Sequence, residues 1–126
     1  MLIMMKPIKF RFWTGTNFCY FDLQQFLHDE DCFSPYRETN VLQQFTGLKD
    51  RNGKEIYEGD IVCEIMTDEM AANGEESTVG QVFFAAGAFM IDDADILFNH
   101  IYGNSPNVLE DFYVIGNIFE NKELMK

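Results

Sequence analysis

Three carboxylates within four residues, Asp92, Asp93 and Asp95, are the densest grouping of metal-ligating groups in this chain. Oxygen donors so close together suit Ca²⁺ or Mg²⁺, with water completing the coordination shell. The EF-hand pattern is missing, however, because no glycine and distant glutamate follow at the required spacing. A solvated turn is the plainer account, and the same holds for Asp29, Glu30 and Asp31. Cys19, Cys32, Cys63, His28 and His100 are zinc-type donors, but they lack C-x-x-C or H-x₃-H spacing. They also offer two Cys/His nucleophile pairs, Cys32 with His28 and Cys63 with His100, each needing a proximity that spacing does not supply. There is no phosphate-cradling glycine loop, no G-x-S-x-G and no H-E-x-x-H. The expectation is a chain with no catalytic residue, no metal site and no cofactor.

Charge says more than any of these motifs. The 126 residues are 47% hydrophobic and 15% aromatic, enough to build the core of one domain. Nine basic residues stand against 21 acidic ones, a formal net charge of −12. That balance repels phosphate and argues against a nucleic-acid binder of the usual basic kind. The imbalance is local. Residues 1–54 are near neutral, whereas residues 55–121 contain no Lys or Arg and hold fourteen acids. Such a block is either a solvated face that keeps the chain soluble or a surface that docks onto a basic one. No run approaches the ~18 apolar residues of a membrane span, and the apolar opening Met1–Met5 lacks the positive n-region of a secretory signal. Three cysteines without paired spacing point to a reducing cytoplasm.

Short strands have to position these side chains. Ile8 to Trp13 alternates apolar and basic, with Ile8, Phe10 and Phe12 on one face and Lys9 and Arg11 on the other. Aromatic and basic residues interleaved in this way are a loose match to a single-strand stacking surface. On a strand they face opposite ways, which makes core packing the better account. Thr14–Asn17 reads as a turn and Phe18–Phe21 as a return strand, giving a hairpin over 8–21. Asp22 is placed to cap a helical turn carrying Leu23, Phe26 and Leu27, and residues 28–35 read as a loop. Val41–Phe45 is a short strand, Asn52-Gly53 a tight turn, and Gly59 a bend leading into the strand Ile61–Ile65. Met66–Ser77 reads as a long loop or hairpin tip. Thr78–Phe84, Ala88–Ile91 and Phe112–Phe119 are further strands, Ile96–Tyr102 fits strand or helix, and Gly103–Pro106 breaks the chain. Glu120–Lys126 reads as a short helical turn or a frayed end. Strands of this length with no long helical period predict a small barrel or sandwich.

The stretch Phe45-Thr46-Gly47-Leu48-Lys49-Asp50-Arg51-Asn52-Gly53-Lys54-Glu55-Ile56-Tyr57-Glu58-Gly59-Asp60-Ile61-Val62 resembles the central signature of the YopX family of phages and prophages. Ile8–Trp13 resembles that family's first strand, and Val114–Asn121 its last. The resemblance implies a mainly β fold with little helix: a small, self-associating SH3-like barrel. Residues 1–126 would form one domain, with 1–45 as an N-terminal β-hairpin and loop extension and 46–121 as the barrel core. It implies no reaction.

The expected function is a non-enzymatic phage or prophage accessory protein, homo-oligomeric and cytoplasmic, that binds a host or phage protein and touches neither nucleic acid nor membrane. Its candidate interaction residues are Lys49, Arg51, Lys54, Glu58 and Asp60 around the central turn, then Glu64, Asp68, Glu69, Glu75 and Glu76. A solvated hairpin explains the first group equally simply, and Asp60 has a structural use as an acceptor of backbone N–H groups in the turn. The alternative is an acidic nucleic-acid mimic that occupies the basic groove of a host nucleic-acid-binding protein, an attraction that salt would screen.

Overall fold

The computed structural model describes residues 8–28, 41–91, 95–96 and 108–124. Strands β1 (Lys9–Trp13), β2 (Phe18–Asp22), β3 (Leu42–Asp50) and β4 (Glu55–Tyr57) form a first sheet in the order β2-β1-β3-β4. A second sheet contains β5 (Asp60–Glu64), β6 (Val79–Ala85), β7 (Ala88–Ile91), β8 (Asp95–Ile96) and β10 (Phe112–Asn117), ordered β10-β5-β6-β7-β8. The short β9 (Val108–Leu109) joins the first sheet, running parallel to the end of β3. Among the described residues, helix is confined to α1 (Leu23–His28), α2 (Asp68–Ala72) and a 3-10 turn at Lys122–Leu124.

The expected SH3-like barrel is not present. Closure requires a ladder that continues around the whole circumference. Among the described residues, one sheet ends at β2 and β4 and the other at β10 and β8, so both are open. The first hairpin is not an extension either, because β1 also pairs with β3 and is an interior strand. The mainly β, helix-poor class holds.

Local signals are realised where the chemistry is local. Asp22 caps α1, with Gln25 N donating to Asp22 Oδ1 at 2.6 Å. Gly53 takes φ +86° in the Asn52-Gly53 turn, and its N–H donates to Asp50 O at 3.0 Å. The predicted strand Val41–Phe45 instead runs on to Asp50, absorbing a register shift between Phe45 and Lys49. The predicted loop 66–77 holds α2, capped by Thr67, whose Oγ1 accepts from Met70 N at 3.1 Å. The readings at 29–35, Asp92 and Asp93, 97–102 and 103–106 lie outside the described residues.

The core lies between the sheets. Leu48, Ile56 and Leu109 from the first meet Val62, Val82, Ile91 and Phe112 from the second, with Phe89 and Val114 packed at its margin. Burying side chains of this size is worth about 1.5–3 kcal/mol each.

Candidate functional site

The most elaborate polar arrangement is centred on Arg11. Its strand alternation predicts an outward side chain, yet Arg11 is only 3% exposed. Arg11 Nη2 donates to Asp60 Oδ1 at 2.8 Å and to Glu58 O at 3.1 Å, and Arg11 Nε donates to Gln43 Oε1 at 2.8 Å. The guanidinium lies 4.0 Å from the Phe18 ring centre and 4.9 Å from that of Tyr57. Planar delocalised charge tolerates such a setting better than an ammonium does. Gly59 makes room for it: its φ is +82°, and a Cβ there would come within 2.1 Å of Gln43 Nε2.

Asp60 is 2% exposed and accepts Tyr57 N through its other oxygen at 2.8 Å, so the turn-acceptor role is realised and an ion pair is added to it. Burial pushes the Asp60 carboxyl above its ordinary value, while the Arg11 guanidinium and the Tyr57 N–H pull the other way. Burial, followed by the charge of Glu55, drives the Tyr57 hydroxyl well above the usual tyrosine range. Because Arg11 lies on β1 and Asp60 opens β5, this pair fastens one sheet to the other.

A second fastening stands at Asp50, 1% exposed. Asp50 Oδ1 accepts Asn52 N at 2.9 Å and Lys54 N at 2.8 Å, and Asp50 Oδ2 accepts Val114 N at 2.9 Å. Arg51 N also donates to Phe112 O at 3.0 Å. The sequence offered no sign of this site, since an aspartate before an Asn-Gly turn reads as an ordinary exposed turn residue.

The candidate interaction residues fall into two sets. Lys49, Arg51 and Lys54 are exposed together at the β3–β4 hairpin, as are Asp68, Glu69, Glu75 and Glu76 on and after α2. Glu64 is half-buried on β5, and Glu58 and Asp60 turn inward, with Glu58 Oε1 accepting Gln44 N at 2.8 Å. Arg51 also lines an open cleft of about 370 Å³ with Val108, Glu110 and Asp111. Cys19 and Cys63 are free and half-buried. Cys63 stands opposite Tyr113 across the β5–β10 ladder, and the contact with its thiol raises the Tyr113 hydroxyl. Among the described residues no three His, Cys, Asp or Glu side chains come together to hold a metal ion. Cys32 and His100 lie outside those residues, as do the side chains that would form the Asp92, Asp93 and Asp95 cluster.

Two open sheets tied by buried carboxylates define a mainly β domain whose polar interior is structural. The chain belongs to the YopX protein family, carried by phages and prophages, which it matches over residues 14–126. Its fold is similar to the crystal structure of protein EF1440 from Enterococcus faecalis, at a TM-score of 0.60 and 24% sequence identity, over 94% of this chain and 98% of that one. No curated protein matches the chain. Among the described residues, no helix is long and apolar enough to cross a membrane.

Proposed function

We propose that this chain is a non-enzymatic, self-associating interaction module of a phage or prophage, acting in a reducing cytoplasm on a host or phage protein. One observation carries the reading. Every buried side-chain nitrogen and oxygen among the described residues has a partner inside the fold, so recognition falls to exposed groups such as Lys49, Arg51 and Lys54 and to unpaired strand edges. Sedimentation velocity over a wide concentration range tests self-association, and a strict monomer at the highest concentration refutes it. Affinity capture washed at low and high salt tests the partner, and salt-resistant recovery of one defined protein supports the module.

The acidic-mimic reading draws on Asp68, Glu69, Glu75 and Glu76, which are exposed close together in sequence. Replacing the four by Asn and Gln is expected to abolish capture of a basic protein, and capture that survives removes the basis of this reading.

A further inference from the structure

We propose that the outer edge of β2 is the docking surface for a second copy of this chain, strand against strand about a two-fold axis through Tyr20. The hairpin's hydrogen-bond alternation supplies the first part of the argument. Thr14 N donates to Asn17 O at 2.9 Å and Leu23 N donates to Ile8 O at 3.0 Å. Bonded pairs alternate between those two ends and include Phe12 with Cys19 and Phe10 with Phe21. Phe18, Tyr20 and Asp22 are therefore the residues whose backbone N–H and C=O groups point away from β1, and no described strand lies on that side.

Natural edge strands are blunted by charged side chains (lysine above all), proline, bulges or extreme shortness. The sequence of β2, Phe18-Cys19-Tyr20-Phe21-Asp22, has no lysine, proline or bulge and carries a single charge, Asp22, at its end; its register with β1 is unbroken. The other edges are poorer templates. β4 has three residues, β8 has two, and Val114 on β10 already donates to Asp50.

Symmetry and charge select the occupant. Laid antiparallel on its own copy, β2 sets Tyr20 against the partner's Tyr20 and Phe18 against the partner's Asp22. These are all outward-bonding residues, so one strand satisfies itself in an isologous contact. Copies that each carry −12 repel, and from Phe18 to Leu27 the only charged side chain is Asp22. Tyr20, 54% exposed, and Leu27, 67% exposed, lie on this strand and on the helix that follows it, leaving apolar surface for the contact to cover.

This inference rests on the self-association reading, and the experiment separates the two. Sedimentation equilibrium is run on the wild type, Tyr20→Lys, Tyr20→Glu and an equal mixture of the two variants, each checked for folding by circular dichroism and thermal melting. Each variant alone sets like charges face to face and is expected to dimerise about a hundredfold more weakly, whereas the mixture regains association because Lys then meets Glu. In the wild type, the Tyr20 amide gains hydrogen-exchange protection as concentration rises. A Tyr20→Lys chain that associates like the wild type overturns the edge assignment and leaves self-association to another surface, and variants whose mixture does not recover overturn it as well. A wild type that stays monomeric overturns self-association itself. A monomer whose Tyr20 amide is protected only by an added phage or host peptide overturns the second copy as occupant.

Discussion

Asp50 and Asp60 are both buried carboxylates that tie the first sheet to the second, and they do it by different chemistry. Asp50 is satisfied by three backbone N–H groups, from Asn52, Lys54 and Val114. Asp60 takes one backbone N–H, from Tyr57, and otherwise faces the Arg11 guanidinium. Backbone donors are fixed by the turn and strand that carry them. The Arg11 charge instead has to be held in place by Gln43, Phe18 and Tyr57, and it needs its counter-charge for as long as it is buried. The Asp60 knot is therefore the more fragile of the two, since its parts come from four separate stretches of chain, around Arg11, Phe18, Gln43 and Tyr57–Asp60.

The largest expected effect follows from breaking that pair. Arg11→Met leaves the Asp60 charge buried without its partner and is expected to cost about 3–5 kcal/mol in urea unfolding. Pairing it with Asp60→Leu removes both charges and is expected to recover more than half of that loss. A double variant no better than Arg11→Met alone would mean that the guanidinium contributes mainly through its packing on Phe18 and Tyr57. Asp50→Asn is expected to do less harm, about 1–3 kcal/mol, because it orphans a backbone donor without stranding a charge. An Asp50→Asn loss larger than that of Arg11→Met would reverse the ranking of the two knots.

Gly59 sharpens the contrast through geometry instead of charge. Gly53 and Gly59 share nearly the same positive φ, +86° and +82°, but a Cβ on Gly53 meets nothing within 4 Å while one on Gly59 would strike Gln43. Gly53→Ala is expected to cost about 1 kcal/mol of backbone strain alone. Gly59→Ala is expected to cost at least about 2 kcal/mol, since it also displaces the amide that holds Arg11 Nε. Equal losses in thermal melts of the two variants would show that Gln43 moves aside freely.

What the sequence disclosed follows from how far apart the partners lie. The first hairpin, the Asp22 cap, the Asn52-Gly53 turn and the acceptor role of Asp60 all involve neighbours a few residues away, and the local order of residues reveals them. Arg11 finds Asp60 across 49 positions and Asp50 finds Val114 across 64, distances at which alternation carries no information. The division into two open sheets rests on the same kind of remote pairing, β1 with β3 and β3 with β9. Short strands and glycine turns are equally compatible with a closed barrel. Helix α2 is not legible in the sequence because five residues are too few to show a helical period.

The smallest effect separates the two knots by pH. Tyr57 belongs to the Asp60 knot alone, and burial raises its hydroxyl far above the ordinary value. The folded chain therefore keeps this proton at a pH where the unfolded chain, with a tyrosine value near ~10, releases it. The stability linked to Tyr57 is whole below about pH 10 and is lost as the pH climbs toward the folded value. Tyr57→Phe keeps the ring beneath Arg11, so urea midpoints at pH 7 are expected to stay close to the wild type. Between about pH 10 and 11 the wild-type midpoint should fall more steeply than that of the variant. Parallel alkaline slopes would mean that the hydroxyl reaches water in the fold, and that the Asp60 knot is less dry on its Tyr57 side than the Asp50 knot is at its centre.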